Sequence, residues 1–192
     1  MRFNEKEIKD LIFAGIFISL AFAILLSGSI LNLKFSIFII AFFTAGIGFL
    51  FHELMHKYIA QRYRLFAEFR ANYGMIFLAV LFSFFGFIIA APGAVYIHGY
   101  ITREKNGKIS LAGPMTNIVL AILFFILLLI LNTGKTLQAF FSFGLTINSL
   151  LAVFNMIPLM PFDGAKVFAW NKRIYWIALA LSAGLFISSF FV

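Results

Sequence analysis

The clearest chemical signal in this sequence is five consecutive residues, His52-Glu53-Leu54-Met55-His56. On a helix, positions i and i+4 lie on one face, so the two imidazoles can be presented to a single metal ion. Glu53 sits one position from the first and three from the second, which sets its carboxylate beside the same ion. There it could take a proton from a water that the metal has activated. Residues 35–51, just before the motif, are almost uninterruptedly apolar. Ionisable groups in such surroundings are costly enough to be functional by default, and that outweighs a merely structural His–Glu cluster.

A catalytic zinc site commonly takes three protein ligands and leaves a fourth position to water. The chain has no Cys, which excludes thiolate ligands and a disulfide framework, so the third donor must be His or a carboxylate. Outside the motif and the N-terminal segment the candidates are Glu68, His98, Glu104 and Asp163. Glu68 and Glu104 lie among Arg and Lys in polar connections, where solvated ion pairing is expected. His98 stands in a strand-like run with no accompanying ligand pattern. Asp163 closes the segment Asn155-Met156-Ile157-Pro158-Leu159-Met160-Pro161-Phe162-Asp163-Gly164. Its two prolines end the preceding helix and Gly164 permits a sharp turn, so Asp163 is held on a short stiff stretch at a membrane edge. An Asp-Gly turn is ordinary by itself; beside the two His residues, Asp163 is the expected third donor. Asn155, near the same edge, could donate its amide to the oxyanion of a tetrahedral intermediate.

The elements that must position these groups are membrane helices. Of 192 residues 63% are hydrophobic and only 11% charged, with a mean hydropathy of +1.04. A soluble domain is roughly half apolar and about a quarter charged, so the excess here must face lipid. The net charge of +8 comes from Lys and Arg in short segments flanking apolar runs. There basic residues set membrane orientation, so the bilayer is the expected partner and nucleic acid is not. Five apolar runs meet the length of about 20 residues that a crossing needs: approximately 11–31, 35–56, 110–131, 137–158 and 174–192. The first is too long for a signal-peptide core and reads as a retained span. A sixth apolar stretch, 75–91, precedes Pro92-Gly93 and the strand-like run Val95 to Thr102, and Asn106-Gly107 then reads as a turn. The fold class expected is an all-α membrane protein of about five to six transmembrane helices, with a re-entrant or β-hairpin-like segment between the second and third full spans. It forms a single polytopic domain over 1–192, with a catalytic core at approximately 35–168.

Two further spans carry small and amide residues at helical spacing: Ser110, Gly113, Asn117 and Ala121 in one, Gly144, Asn148, Ala152 and Asn155 in the next. Such stripes let membrane helices approach closely, and helix packing is the expected role of Asn117 and Asn148. Three motifs in this order, His52-Glu53-Leu54-Met55-His56, Ser110 to Asn117, and Asn155 to Gly164, make the chain resemble the site-two protease family of intramembrane zinc metalloproteases. The resemblance spans most of residues 46–168. It implies His52, His56 and Asp163 as ligands of one Zn²⁺ per chain, Glu53 as general base, and cleavage of a transmembrane protein substrate. The PDZ and CBS modules of many relatives are absent, so regulation through them is not expected. The strand-like segment 94–102 could pair with an unwound substrate by strand addition.

Topology follows from the chemistry. Were 75–91 a single crossing, the His52–His56 end of one helix and Asp163 would lie on opposite faces, about 30 Å apart, and could not share an ion. With residues 71–108 entering and leaving on one side, all the Lys and Arg residues except Lys34 and Lys135 also fall together. That asymmetry assigns the site to the cytoplasmic side, with the cell membrane as the expected location. The competing function is a transporter or channel moving zinc or protons along the same His and Asp residues. It gives no reason for a Glu between the two His.

Overall fold

A computed structural model describes residues 1–28, 30–88, 92–131 and 134–192. The end of the first expected span and residues 89–91 of the 75–91 stretch touch or lie outside the described residues. The elements are α1 (Glu5–Ser27), α2 (Phe35–Ala41), α3 (Ile47–Arg62), β1 (Phe66–Ala71), α4 (Tyr73–Ser83), β2 (Gly93–His98), α5 (Arg103–Ile130), α6 (Lys135–Asn155), α7 (Asp163–Trp170) and α8 (Lys172–Ser188). A π-helical turn over Phe42–Gly46 joins α2 and α3 into one continuous helix of 28 residues.

Among the described residues four helices are long and apolar enough to cross a membrane: α1, the Phe35–Arg62 helix, α5 and α6. The fifth expected span, α8, has 17 residues, the lower limit for a crossing of about 30 Å. The chain is an integral membrane protein, all-α apart from one small sheet. Local signals account for the helix ends. Asn4, Asn72, Thr102 and Asn171 each cap the helix that follows by accepting a backbone N–H. The end of α3 is a Schellman turn, with Leu65 N–H on Ala60 O at 3.1 Å and Arg64 N–H on Gln61 O at 2.9 Å. Arg64 occupies its left-handed position at φ 60°. This turn sends the chain directly from the motif helix into β1.

Strands β1 and β2 pair antiparallel from Phe66↔His98 to Ala71↔Gly93. The last pair closes a loop: the chain leaves the sheet at Ala71 and comes back to the same place at Gly93. Between them α4 has 11 residues, a rise of about 16 Å, roughly half of the hydrocarbon core. The hairpin form expected for this region is therefore the form observed. Three details differ. The strand ends at His98 rather than near Thr102, because Gly99 at φ 129° breaks it. Asn106-Gly107 is no turn; it lies in the first turns of α5, which the Thr102 cap starts at Arg103. Strand β1 was not foreseen, since Phe66-Ala-Glu-Phe-Arg-Ala reads as a polar connection until its partner is known. One face of the sheet is apolar and packs inward, with Phe69 against Phe49 at 6.0 Å between ring centroids.

Helix α5 packs against α3, α6 and α7. It carries Pro114 in its interior, where the lost backbone N–H is tolerated inside a helix bundle.

Candidate active site

His52 and His56 lie one turn apart on α3, both buried, with ring centroids 4.6 Å apart. Asp163 opens α7 and points its carboxylate at both: Oδ2 is 3.3 Å from His52 Nε2 and 3.0 Å from His56 Nε2. The three residues form a group that could hold a metal ion, each offering one ligand atom and all such atoms within 4.8 Å of one another. Sequence separation of more than a hundred positions is closed by folding. Gly164 makes this possible: any side chain there would collide with the backbone of Met156 and Ile157, so only Gly lets the Asp163 turn seat against the end of α6.

The other ring nitrogens are already committed. His56 Nδ1 is 2.7 Å from the carbonyl of Ile109, which can only accept, so this nitrogen carries the proton. His52 Nδ1 is 2.6 Å from Asn117 Oδ1. Asn117 faces it with oxygen because its Nδ2 donates to Gly48 O at 3.1 Å and to Asn148 Oδ1 at 3.0 Å. Asn148 in turn donates to Gly144 O at 2.9 Å and reaches Thr44 O in the π-helical turn at 3.4 Å. In the neutral form both imidazoles thus turn a bare Nε2 toward a carboxylate oxygen. Three lone pairs converging on one point repel each other unless a cation sits among them.

The separation of Asp163 Oδ2 from each imidazole fits zinc. Bonds of about 2.0–2.1 Å at tetrahedral angles put ligand atoms about 3.3 Å apart, close to the 3.0 and 3.3 Å observed. Gly113 of α5 lies directly over this point: a Cβ there would fall well under 3.0 Å from both Nε2 atoms. Glu53 is buried on the same helix, and His52, Asp163 and Lys166 are its electrostatic neighbours. Lys166 Nζ also stands 3.7 Å from Asp163 Oδ1, the oxygen not facing the imidazoles.

Asn155, the last residue of α6, donates to Leu151 O of its own helix at 2.9 Å and shares no hydrogen bond with the His–Asp group. The residues set aside as ligands stay apart from it. Glu68 pairs with Arg70 at 2.6 Å and accepts from Asn4, Glu104 pairs with Lys108 at 2.5 Å, and His98 packs on Phe66. The roles of Asn117 and Asn148 exceed the helix packing expected of them. The stripe of small residues around Asn117 marked its face, but nothing in it named His52 as the partner. Ile109 acts through its backbone and leaves no side-chain signal.

No family model matches the chain, and no solved structure matches it. Two relatives do. A Methanocaldococcus jannaschii protein named putative zinc metalloprotease MJ0611 is 47% identical over 178 residues, 92% of this chain and 90% of the relative. A Bacillus subtilis protein named putative zinc metalloprotease YwhC is 28% identical over 144 residues, 65% of each chain. An identity of 47% that covers nine-tenths of both chains is that of common descent. This chain belongs to that family of zinc metalloproteases.

Proposed function

We propose that this protein is an intramembrane zinc metalloprotease of the site-two type, hydrolysing peptide bonds within or near transmembrane segments of membrane-protein substrates. One observation carries the reading: the three candidate ligands meet among helices apolar enough to span a bilayer, and the described residues around them form no separate water-facing domain. One zinc per chain would be held by His52 Nε2, His56 Nε2 and Asp163. Bound there, zinc would polarise the scissile carbonyl and make water a nucleophile near neutral pH.

The chain's own groups do the rest. Glu53 takes the proton from the attacking water and returns one to the leaving amine. Asn155 has a second amide N–H beyond the one spent on Leu151, and this would meet the oxyanion. Ile109 O and Asn117 Oδ1 keep the imidazoles aimed while charge moves. An intact substrate helix has its peptide groups internally bonded, so it must unwind locally before attack.

The sheet offers a place for the unwound stretch. The N–H groups of Phe69 and Ala71 are taken by carboxylates of α1, so they point away from β2. Their partners Val95 and Gly93, and Ile97 two residues on, therefore turn their backbone groups to the far edge of β2. No third strand pairs there among the described residues. A substrate strand added at this edge would be held by main-chain bonds. The zinc site faces the cytoplasmic side of the cell membrane in this reading.

The deciding experiment is proteolysis by the reconstituted protein on a panel of single-span substrates, comparing wild type with Glu53→Gln. Cleavage by wild type alone is expected. Zinc or proton flux through the wild type without cleavage of any substrate would replace this reading with transport.

A further inference from the structure

Helix α1 carries two carboxylates that no part of this mechanism uses, and both are buried: Glu7 is 1% exposed and Asp10 2%. Burying charge is costly unless every lone pair is met. Here each carboxylate oxygen has a partner, and the partners lie on three other elements, α3, β1 and α4. Both Glu7 oxygens accept from Lys57 Nζ at 2.5 Å, and Oε1 also accepts the Phe69 N–H at 2.8 Å. Asp10 Oδ1 accepts from the Tyr73 hydroxyl at 2.5 Å, and Oδ2 accepts the Ala71 N–H at 3.3 Å. Lys57, itself 1% exposed, is the residue after His56. Glu7 therefore bonds the helix of the zinc motif and the backbone of strand β1 with one carboxylate.

The two carboxylates stand one helical turn apart and take alternate N–H groups along one strand edge. That arrangement reads register as well as position. A slip of β1 by one residue would turn its N–H groups and its side chains to the wrong sides, taking Phe69 off Phe49. Because β2 is paired to β1, whatever fixes β1 fixes the free edge of β2.

We infer that Glu7 and Asp10 are positioning residues, a buried clamp that sets the substrate-pairing sheet at a fixed height against the His52–His56 helix and so selects which peptide bond reaches the site. The inference rests on the protease reading and on strand addition at β2. A plain buried ion pair between Glu7 and Lys57 would stabilise the bundle without regard to strand register, and the two roles separate experimentally.

Two double variants both delete the ion pair, Glu7→Gln with Lys57→Met and Glu7→Leu with Lys57→Met; only the first keeps an oxygen for the Phe69 N–H. Each is reconstituted in full-length form and compared with wild type for zinc content, KM, products cut from a single-span substrate, and hydrogen exchange of 66–71 and 93–98. Zinc content is expected to be unchanged in both. The Leu/Met variant is expected to exchange about tenfold faster in both strands, as loss of a bond to a carboxylate implies, with raised KM and additional cuts at neighbouring bonds. The Gln/Met variant should keep the wild-type exchange and product pattern. If the two double variants behave alike, whether both normal or both altered, the clamp is overturned. Should the Leu/Met variant not fold, Asp10→Ala against Asp10→Asn asks the same question at Ala71. If wild type cuts no substrate, the protease reading fails and the exchange comparison alone decides the clamp.

Discussion

His52 and Asn117 are joined by a 2.6 Å hydrogen bond from Nδ1 to Oδ1 across 65 positions of sequence, and it fixes which imidazole nitrogen is free. Asn117→Ala removes that acceptor and lets the ring turn or change tautomer. Loss of such a partner typically weakens a metal site about 10- to 100-fold. Competition with a chelator of known affinity should show that drop while the helical content of the protein stays as in wild type. Unchanged zinc affinity would mean that the bond does not orient His52.

Gly113→Ala tests the close approach of α5 to the site. The added methyl would lie against both Nε2 atoms, where a metal would otherwise sit. We expect zinc content to fall to a small fraction of one per chain. Gly184→Ala, on α8 with open space around its Cα, serves as the comparison and should keep its zinc.

Ligands and general base should separate by assay. His56→Ala and Asp163→Ala are expected to lose zinc, because two donors do not complete a tetrahedral catalytic site. Glu53→Gln should keep the metal and lose about 10²- to 10⁴-fold in rate, the usual contribution of a positioned base. Metal analysis of the purified variants beside a cleavage assay reads both effects. Full zinc occupancy in both ligand variants would remove the assignment.

The absence of native Cys allows topology to be mapped with single Cys substitutions at Lys34, Arg64, Lys105, Lys135 and Lys172, labelled by an impermeant thiol reagent in intact cells. Lys34 and Lys135 positions should label and the other three should be protected. Labelling at Lys105 from outside would contradict the cytoplasmic orientation.

How much of this was legible in the sequence depended on whether a residue acts through its own type and spacing. His52, Glu53 and His56 lie within five consecutive residues of one helix, and the i, i+4 rule places them without a fold. Asp163 could be picked out because so few acidic residues remain outside polar connections. The return of the chain between Ala71 and Gly93 was legible as well, since a single crossing would separate the ligands. Strand β1 was not legible: Glu68 and Arg70 give it the composition of a loop, and its identity comes from β2 on one edge and the α1 carboxylates on the other. Glu7 and Asp10 were unreadable for the same reason. At the start of a helix acidic residues usually face water, and only the packed structure shows them buried against Lys57 and the backbone of β1.

The π-helical turn at Phe42–Gly46 has a consequence for how this helix can vary. It accommodates one more residue than an α-helical turn, and each residue of a helix turns the chain by about 100°. Upstream, α2 presents Phe35 and Ile39 to the outside; downstream, α3 aims His52 and His56 inward. The turn sets the phase between these two faces. A one-residue deletion within it would leave hydropathy and length nearly untouched, yet swing both imidazoles about a quarter-turn away from Asp163. The exposed position Phe43 can accept other apolar side chains and the buried Ala45 and Gly46 cannot, whereas the number of residues in the stretch is fixed by geometry on the far side of the helix.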